Sequence, residues 1–82
     1  MDLNTAANAL RELGHPTRLS IYRELVRAGH EGLPVGELQK HLEIPASTLS
    51  HHLSALISAG LISQERQSGV LSGNPRKFRH SV

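Results

Sequence analysis

The stretch Ile44–Ile62, IPASTLSHHLSALISAGLI, decides how the rest of the chain is read. At about 100° per residue of helix, Leu49, Leu53, Leu56 and Gly60 fall in one narrow arc, with Ala46 and Ile57 at its edge. Ser47, His51, Ser54 and Ser58 fall opposite, flanked by Thr48 and Ser50. Pro45 stands at or just before the first turn, where its missing N–H costs nothing. Gly60 stands just past the last turn, where a left-handed cap is expected. An outward face of small hydroxyls and imidazoles suits a groove lined with hydrogen-bonding edges better than it suits a protein partner. The closing AGLI is a helix stop followed by a strand start, so the order predicted is a reading helix and then a β-wing.

Working upstream, Val35–Leu42 fits a short helix with Leu38 and Leu42 one turn apart, and Glu43-Ile44-Pro45 is the turn that follows it. Two short helices joined by a tight turn, the second with a polar face, form a helix-turn-helix. Gly29–Pro34 (GHEGLP) reads as a loop from its Gly and Pro content. Before it, His15-Pro16-Thr17 opens a helix running to about Ala28, with Leu19, Tyr22, Leu25 and Val26 as its core stripe and Arg18, Arg23 and Arg27 pointing elsewhere; Arg18 and Arg23, like Lys40, read as solvated helix charges. A first helix spans Asp2–Leu13, ended by Gly14. Leu3, Ala6, Ala7, Leu10 and Leu13 recur along it at helical spacing, a stripe of small residues that lets another helix approach closely.

Downstream, Leu61–Arg66 is expected to be a strand, Gln67–Pro75 a turn or mobile loop, and Arg76–Val82 (RKFRHSV) the return strand. The expectation is one domain over residues 1–82, mainly α with a small β-hairpin. It is a winged helix-turn-helix in the order α-α-α-α-β-β, with residues 70–82 as wing or tail.

Composition narrows the function classes. A chain of 82 residues builds one small domain with a marginal core, which a dimer would help. Tyr22 and Phe78 are its only aromatic residues other than histidine, so the core must be aliphatic. The net charge is +2 and the pI about 9.7. Seven of the nine basic residues are Arg, the side chain better matched to phosphate and guanine. There are no cysteines, which excludes disulfides, thiolate metal sites and thiol redox sensing. No apolar run approaches membrane-spanning length, and MDLNTAANAL lacks the basic start and apolar core of a signal peptide, so a cytoplasmic protein with no membrane partner is expected. No Ser/His/Asp arrangement, nucleotide loop or paired-carboxylate site is evident, so neither enzymatic activity nor a cofactor is expected.

The chain resembles the ArsR-type (arsenic-repressor-like) winged-helix regulators of prokaryotes. The resemblance is carried by LGHPTRLSIYREL (Leu13–Leu25), by VGELQKHLEIPASTLSHHLSALISAGLI (Val35–Ile62) and by SQERQSG (Ser63–Gly69). It covers roughly Leu3–Gly69. It implies a homodimer that binds a pseudo-palindromic operator on double-stranded DNA and represses transcription, with the second helix of the motif in the major groove. The positions matching the family's reading residues are Ser47, Thr48, Ser50 and His51, and His52 matches a position where the family commonly has His. Arsenic- and cadmium-sensing relatives carry a Cys-rich motif where this chain has Leu33–Leu38 (LPVGEL), so a thiolate sensor there is excluded. The residues after Gly69 match the family poorly, and none matches the fifth helix through which relatives dimerise.

Ser47, Thr48, Ser50, His51 and Ser54 are therefore the candidate DNA contacts on the reading helix. Hydroxyls discriminate bases weakly, which leaves specificity to His51, the wing and DNA shape. His52 falls at the border of the apolar face and reads as a half-buried packing residue. Arg66, Arg76, Lys77 and Arg79 flank the wing as candidate phosphate or minor-groove contacts. Leu3, Ala6, Ala7 and Leu10 are the candidate dimer interface. A winged-helix protein-interaction module that does not bind DNA is one alternative. A metal-responsive sensor is another, but adjacent His51 and His52 diverge on a helix, and His15, His30, His41 and His80 show no ligand spacing. No metal site is expected.

Overall fold

Four α-helices and a three-stranded sheet, whose first strand falls between the second and third helices, make up the computed structural model, which describes residues 2–78. Helix α1 (Leu3–Leu13) starts where the Asp2 carboxylate accepts the Thr5 N–H at 2.7 Å, and hydrogen bonds from Thr5 hold that carboxyl below its ordinary pKa. Helix α2 (Pro16–Ala28) starts on Pro16, with the His15 Nδ1 accepting the Thr17 N–H at 3.2 Å. Helix α3 (Val35–Leu42) ends at Glu43, whose φ of 53° puts a non-glycine residue in the left-handed region and turns the chain sharply into Ile44-Pro45. Helix α4 (Ala46–Ser58) ends in a Schellman closure. The Gly60 N–H donates to Ile57 O and the Leu61 N–H to Leu56 O, both at 3.0 Å, with Gly60 at φ 74° as its position past the last turn requires.

The core lies between α2, α3, α4 and the sheet. It is aliphatic throughout: Ile21, Leu25, Leu38, Leu49, Leu53, Leu56, Ile62 and Leu71 are all buried. One stripe differs from the sequence reading. In α2 the buried pair is Ile21 and Leu25, whereas Leu19 and Val26 are 43% and 54% exposed, because Ile21 rather than either of them lies in the core cluster. In α1 only Ala9 is buried. Leu13 packs partly on the core, but Leu3 and Leu10 are 85% and 71% exposed.

The sheet departs most from expectation. Strand β1 (Leu33–Pro34) lies in the segment read as a loop, and the return strand is β3 (Val70–Ser72), within the segment read as a turn. The order is β1-β3-β2, all antiparallel, with β2 at Ser63–Gln64. Leu33 pairs with Leu71 and Pro34 with Val70 on one side, while Ser63 pairs with Ser72 and Gln64 with Leu71 on the other. The wing turn is tight because Gly69, at φ 75°, lets its N–H reach Glu65 O at 2.9 Å while the Glu65 N–H donates to Val70 O at 2.8 Å. The chain is thus back on the sheet by Val70, earlier than the Gly and Asn-Pro content implied. The expected return strand at Arg76–Val82 is corrected accordingly. Pro75–Phe78 is a turn set by Asn74, whose side chain accepts the Arg76 N–H at 3.0 Å, and residues 79–82 lie outside the described residues. Pro34 can sit in the sheet because β1 is an edge strand.

Candidate nucleic-acid interface

Helix α4 presents its two faces as the spacing predicts. Leu49, Leu53 and Leu56 are buried, and Ser47, Thr48, Ser50, His51 and Ser54 are all exposed on the outer side. Ala46 and Ile57, at the margin of the apolar arc, are exposed too. The outer face, which also includes exposed Ser58, carries six side chains with hydroxyl or imidazole donors and acceptors and no Lys, Arg, Asp or Glu. Such a face can exchange hydrogen bonds with base edges or phosphates. It cannot supply fixed positive charge, which must come from elsewhere in the domain.

Arg66 supplies some of it, standing exposed in the turn between β2 and β3. Arg76 is exposed as well, but in the turn after β3. It lines a groove of about 550 Å³ with Ile57, Gly60, Ile62 and Phe78, beside the C-terminal end of α4. Lys77 is half-buried, with its Nζ 5.4 Å from the centre of the Phe78 ring, and it lines a separate cavity with Leu25, Val26 and His30. Among the described residues, Arg66 alone of these cations occupies the wing tip. Arg79 lies outside the described residues.

His52 is the inward neighbour of this face. It is only 7% exposed, and its Nδ1 accepts a hydrogen bond from Arg18 Nε at 3.0 Å. Arg18 in turn pairs with Glu12 at the end of α1, both side chains being largely covered. The His15 ring lies tilted against His52 with centroids 4.8 Å apart, and the His51 ring is 6.0 Å away. Burial, and then the positive character of His15, Arg18 and His51, push the His52 imidazole below its ordinary pKa. This cluster corrects two readings. Arg18 is not a solvated helix charge, and His52 is more deeply buried than expected and bonded to a side chain. Arg18 falls on the same helical arc as Ile21, Tyr22 and Leu25, so it turns inward with them once packing has chosen that arc.

The exposed members of the α1 stripe, Leu3, Ala7 and Leu10, lie on one side of that helix with half-buried Ala6 between them. No group of three His, Cys, Asp or Glu side chains able to hold a metal ion occurs among the described residues. No helix among them is long and apolar enough to cross a membrane.

A family described as a helix-turn-helix domain matches residues 13–65, from the end of α1 to the start of the wing turn. The chain is similar to the transcriptional repressor PagR of Bacillus anthracis, at 40% identity over 53 residues, covering 65% of this chain and 52% of that protein. It is also similar to the biofilm growth-associated repressor of Xylella fastidiosa, at 36% identity over 63 residues, covering 77% of this chain and 53% of that protein, in both the Temecula1 and 9a5c strains. The chain spans about half the length of the curated relatives it matches. With the matched segment containing α2, α3, the Glu43 turn and α4 in their winged arrangement, the chain belongs to the helix-turn-helix domain family, in its ArsR-type winged form.

Proposed function

We propose that this chain is a sequence-specific DNA-binding transcriptional repressor of the cytoplasm. It acts as a homodimer on a pseudo-palindromic operator and represses by occluding a promoter. The observation that carries the reading is the division of α4, buried through Leu49, Leu53 and Leu56 and exposed through Ser47, Thr48, Ser50, His51 and Ser54. The two named relatives are called repressors, which supports the same direction of control here. In this reading α4 enters the major groove, α3 braces it, and Arg66 meets a phosphate or the minor groove beside it. Arg76, Lys77 and Arg79 add cationic character past the wing.

A salt titration tests the reading. Affinity for duplex DNA is expected to fall linearly on a log–log plot against salt, with a slope of about −0.9 for each phosphate neutralised. A chain that binds no duplex, or binds every duplex alike whatever the salt, is a protein-interaction module instead.

Dimerisation is proposed to use the α1 stripe, Leu3, Ala6, Ala7 and Leu10, because two large apolar side chains stand in water there with small residues between them. Sedimentation of Leu10→Glu is expected to report a monomer where the parent chain is a dimer, and two half-sites should then be bound independently. Persistence of the parent's dimer in that variant would move the interface elsewhere.

A further inference from the structure

Four polar side chains from three helices meet on the inner side of α4. Glu12 closes α1, His15 caps α2, Arg18 lies in its first turns, and His52 sits in the middle of α4. Each contact constrains the next. An arginine has five donors and no acceptor, so His52 must offer a lone pair on Nδ1, and the proton of the neutral ring stands on Nε2. His52 directly follows His51 and lies one turn beyond Thr48. A hydrogen bond at that point resists rotation of α4 about its own axis. It adds a directional constraint to the close packing of the buried leucines.

We propose that Arg18 and His52 are positioning residues for DNA reading. Glu12 holds Arg18, Arg18 holds His52, and the series fixes the rotation of α4 so that Ser47, Thr48 and His51 meet base edges together. The proposal rests on the DNA-reading role of α4 and adds the device that aims it.

A pH dependence follows. The groups facing the His52 ring are Arg18 and His15 from α2 and His51 from its own helix, all bases, while the acid contributed by α1, Glu12, is engaged by Arg18. A proton on Nδ1 sets one N–H against another and adds charge beside a guanidinium, so acidification breaks the link. His52 is held below the ordinary imidazole value, so the unfolded chain binds this proton first. The stabilisation is complete above about pH 6.5, and it is lost as pH falls below that value.

The experiment uses the 82-residue chain, a duplex selected by it from a random pool, and an unselected duplex of the same length. Binding is read from about pH 8 down to about pH 5.5, with helical circular dichroism as the measure of folding. Arg18→Leu and His52→Leu are expected to lose about tenfold or more in affinity for the selected duplex and less than about twofold for the unselected one. His52→Gln offers an amide oxygen to the same guanidinium and does not protonate. It is expected to recover selective binding to within about threefold and to flatten the acid loss. A purely structural role would lower both affinities in proportion to the folded fraction, and that result overturns the proposal. Folded Leu variants with undiminished selectivity overturn it equally. Should the Leu variants not fold, the comparison of the parent chain with His52→Gln decides, and an identical acid loss in both refutes the coupling. If the parent chain selects no duplex at all, the DNA reading fails first and the proposal falls with it.

Discussion

Replacing Ser47 and His51 together by Ala is expected to weaken binding to a selected duplex by about 2–6 kcal/mol, from about 1–3 kcal/mol for each lost base contact. Both side chains are exposed and neither belongs to the core, so the variant should fold as the parent does, with unchanged helical circular dichroism. The expected loss is large because α4 carries no Lys, Arg, Asp or Glu on which reading could otherwise rest. Affinity for an unselected duplex should hardly change, since phosphate contacts supply nearly all of it. A double variant that still prefers the selected duplex would remove α4 as the reader.

Gly32→Ala is expected to cost the fold about 3 kcal/mol or more. Gly32 has φ 74° and ψ −167°, a region essentially reserved for glycine, and a side chain there costs about 1–3 kcal/mol in backbone strain alone. A Cβ would also stand 2.4 Å from the Leu71 carbonyl oxygen and 3.0 Å from Val70 Cγ1. That oxygen belongs to the central strand and cannot move without disturbing Leu71, which is fully buried. For a domain of this size each kcal/mol shifts the melting temperature by about 4–8 °C, so a fall of roughly 12 °C or more is expected in a thermal melt. Gly36→Ala is the control. It lies inside α3 with nothing within 4 Å of its Cβ, so the same change should be neutral or stabilising by up to about 1 kcal/mol. Equal melting temperatures for the two variants would contradict the close approach of β1 to β3.

The helices were readable because their signals are local and repeated. Gly14, Pro16, Pro45 and Gly60 mark ends that hydrogen bonding then confirms within a residue or two, and the leucines of α4 recur often enough to define its inner arc. The strands were not readable, because at two or three residues they contain no period to detect. Pro34 argues against a strand unless the edge position is known, and that position depends on β3, far along the chain. Leu19 and Val26 fit the apolar spacing of α2 as well as Ile21 does. Only packing into the core cluster selects Ile21. The exposed residues of α4 were identified from angle alone. The Glu12–Arg18–His52 series was missed because it joins residues up to 40 positions apart through three helices, although Arg18 stood on the inward arc throughout.

Pro34 belongs at once to the outer rung of the sheet and to the cap of α3. No residue separates β1 from α3, so the outer rung of the sheet runs directly into that helix. A load applied at the tip near Arg66 passes through Val70 to Pro34, and from there into the first turn of α3. The wing is in that sense one arm of a lever whose other arm is the helix-turn-helix. If α4 reads DNA as proposed, the wing and the reading helix meet it as one body.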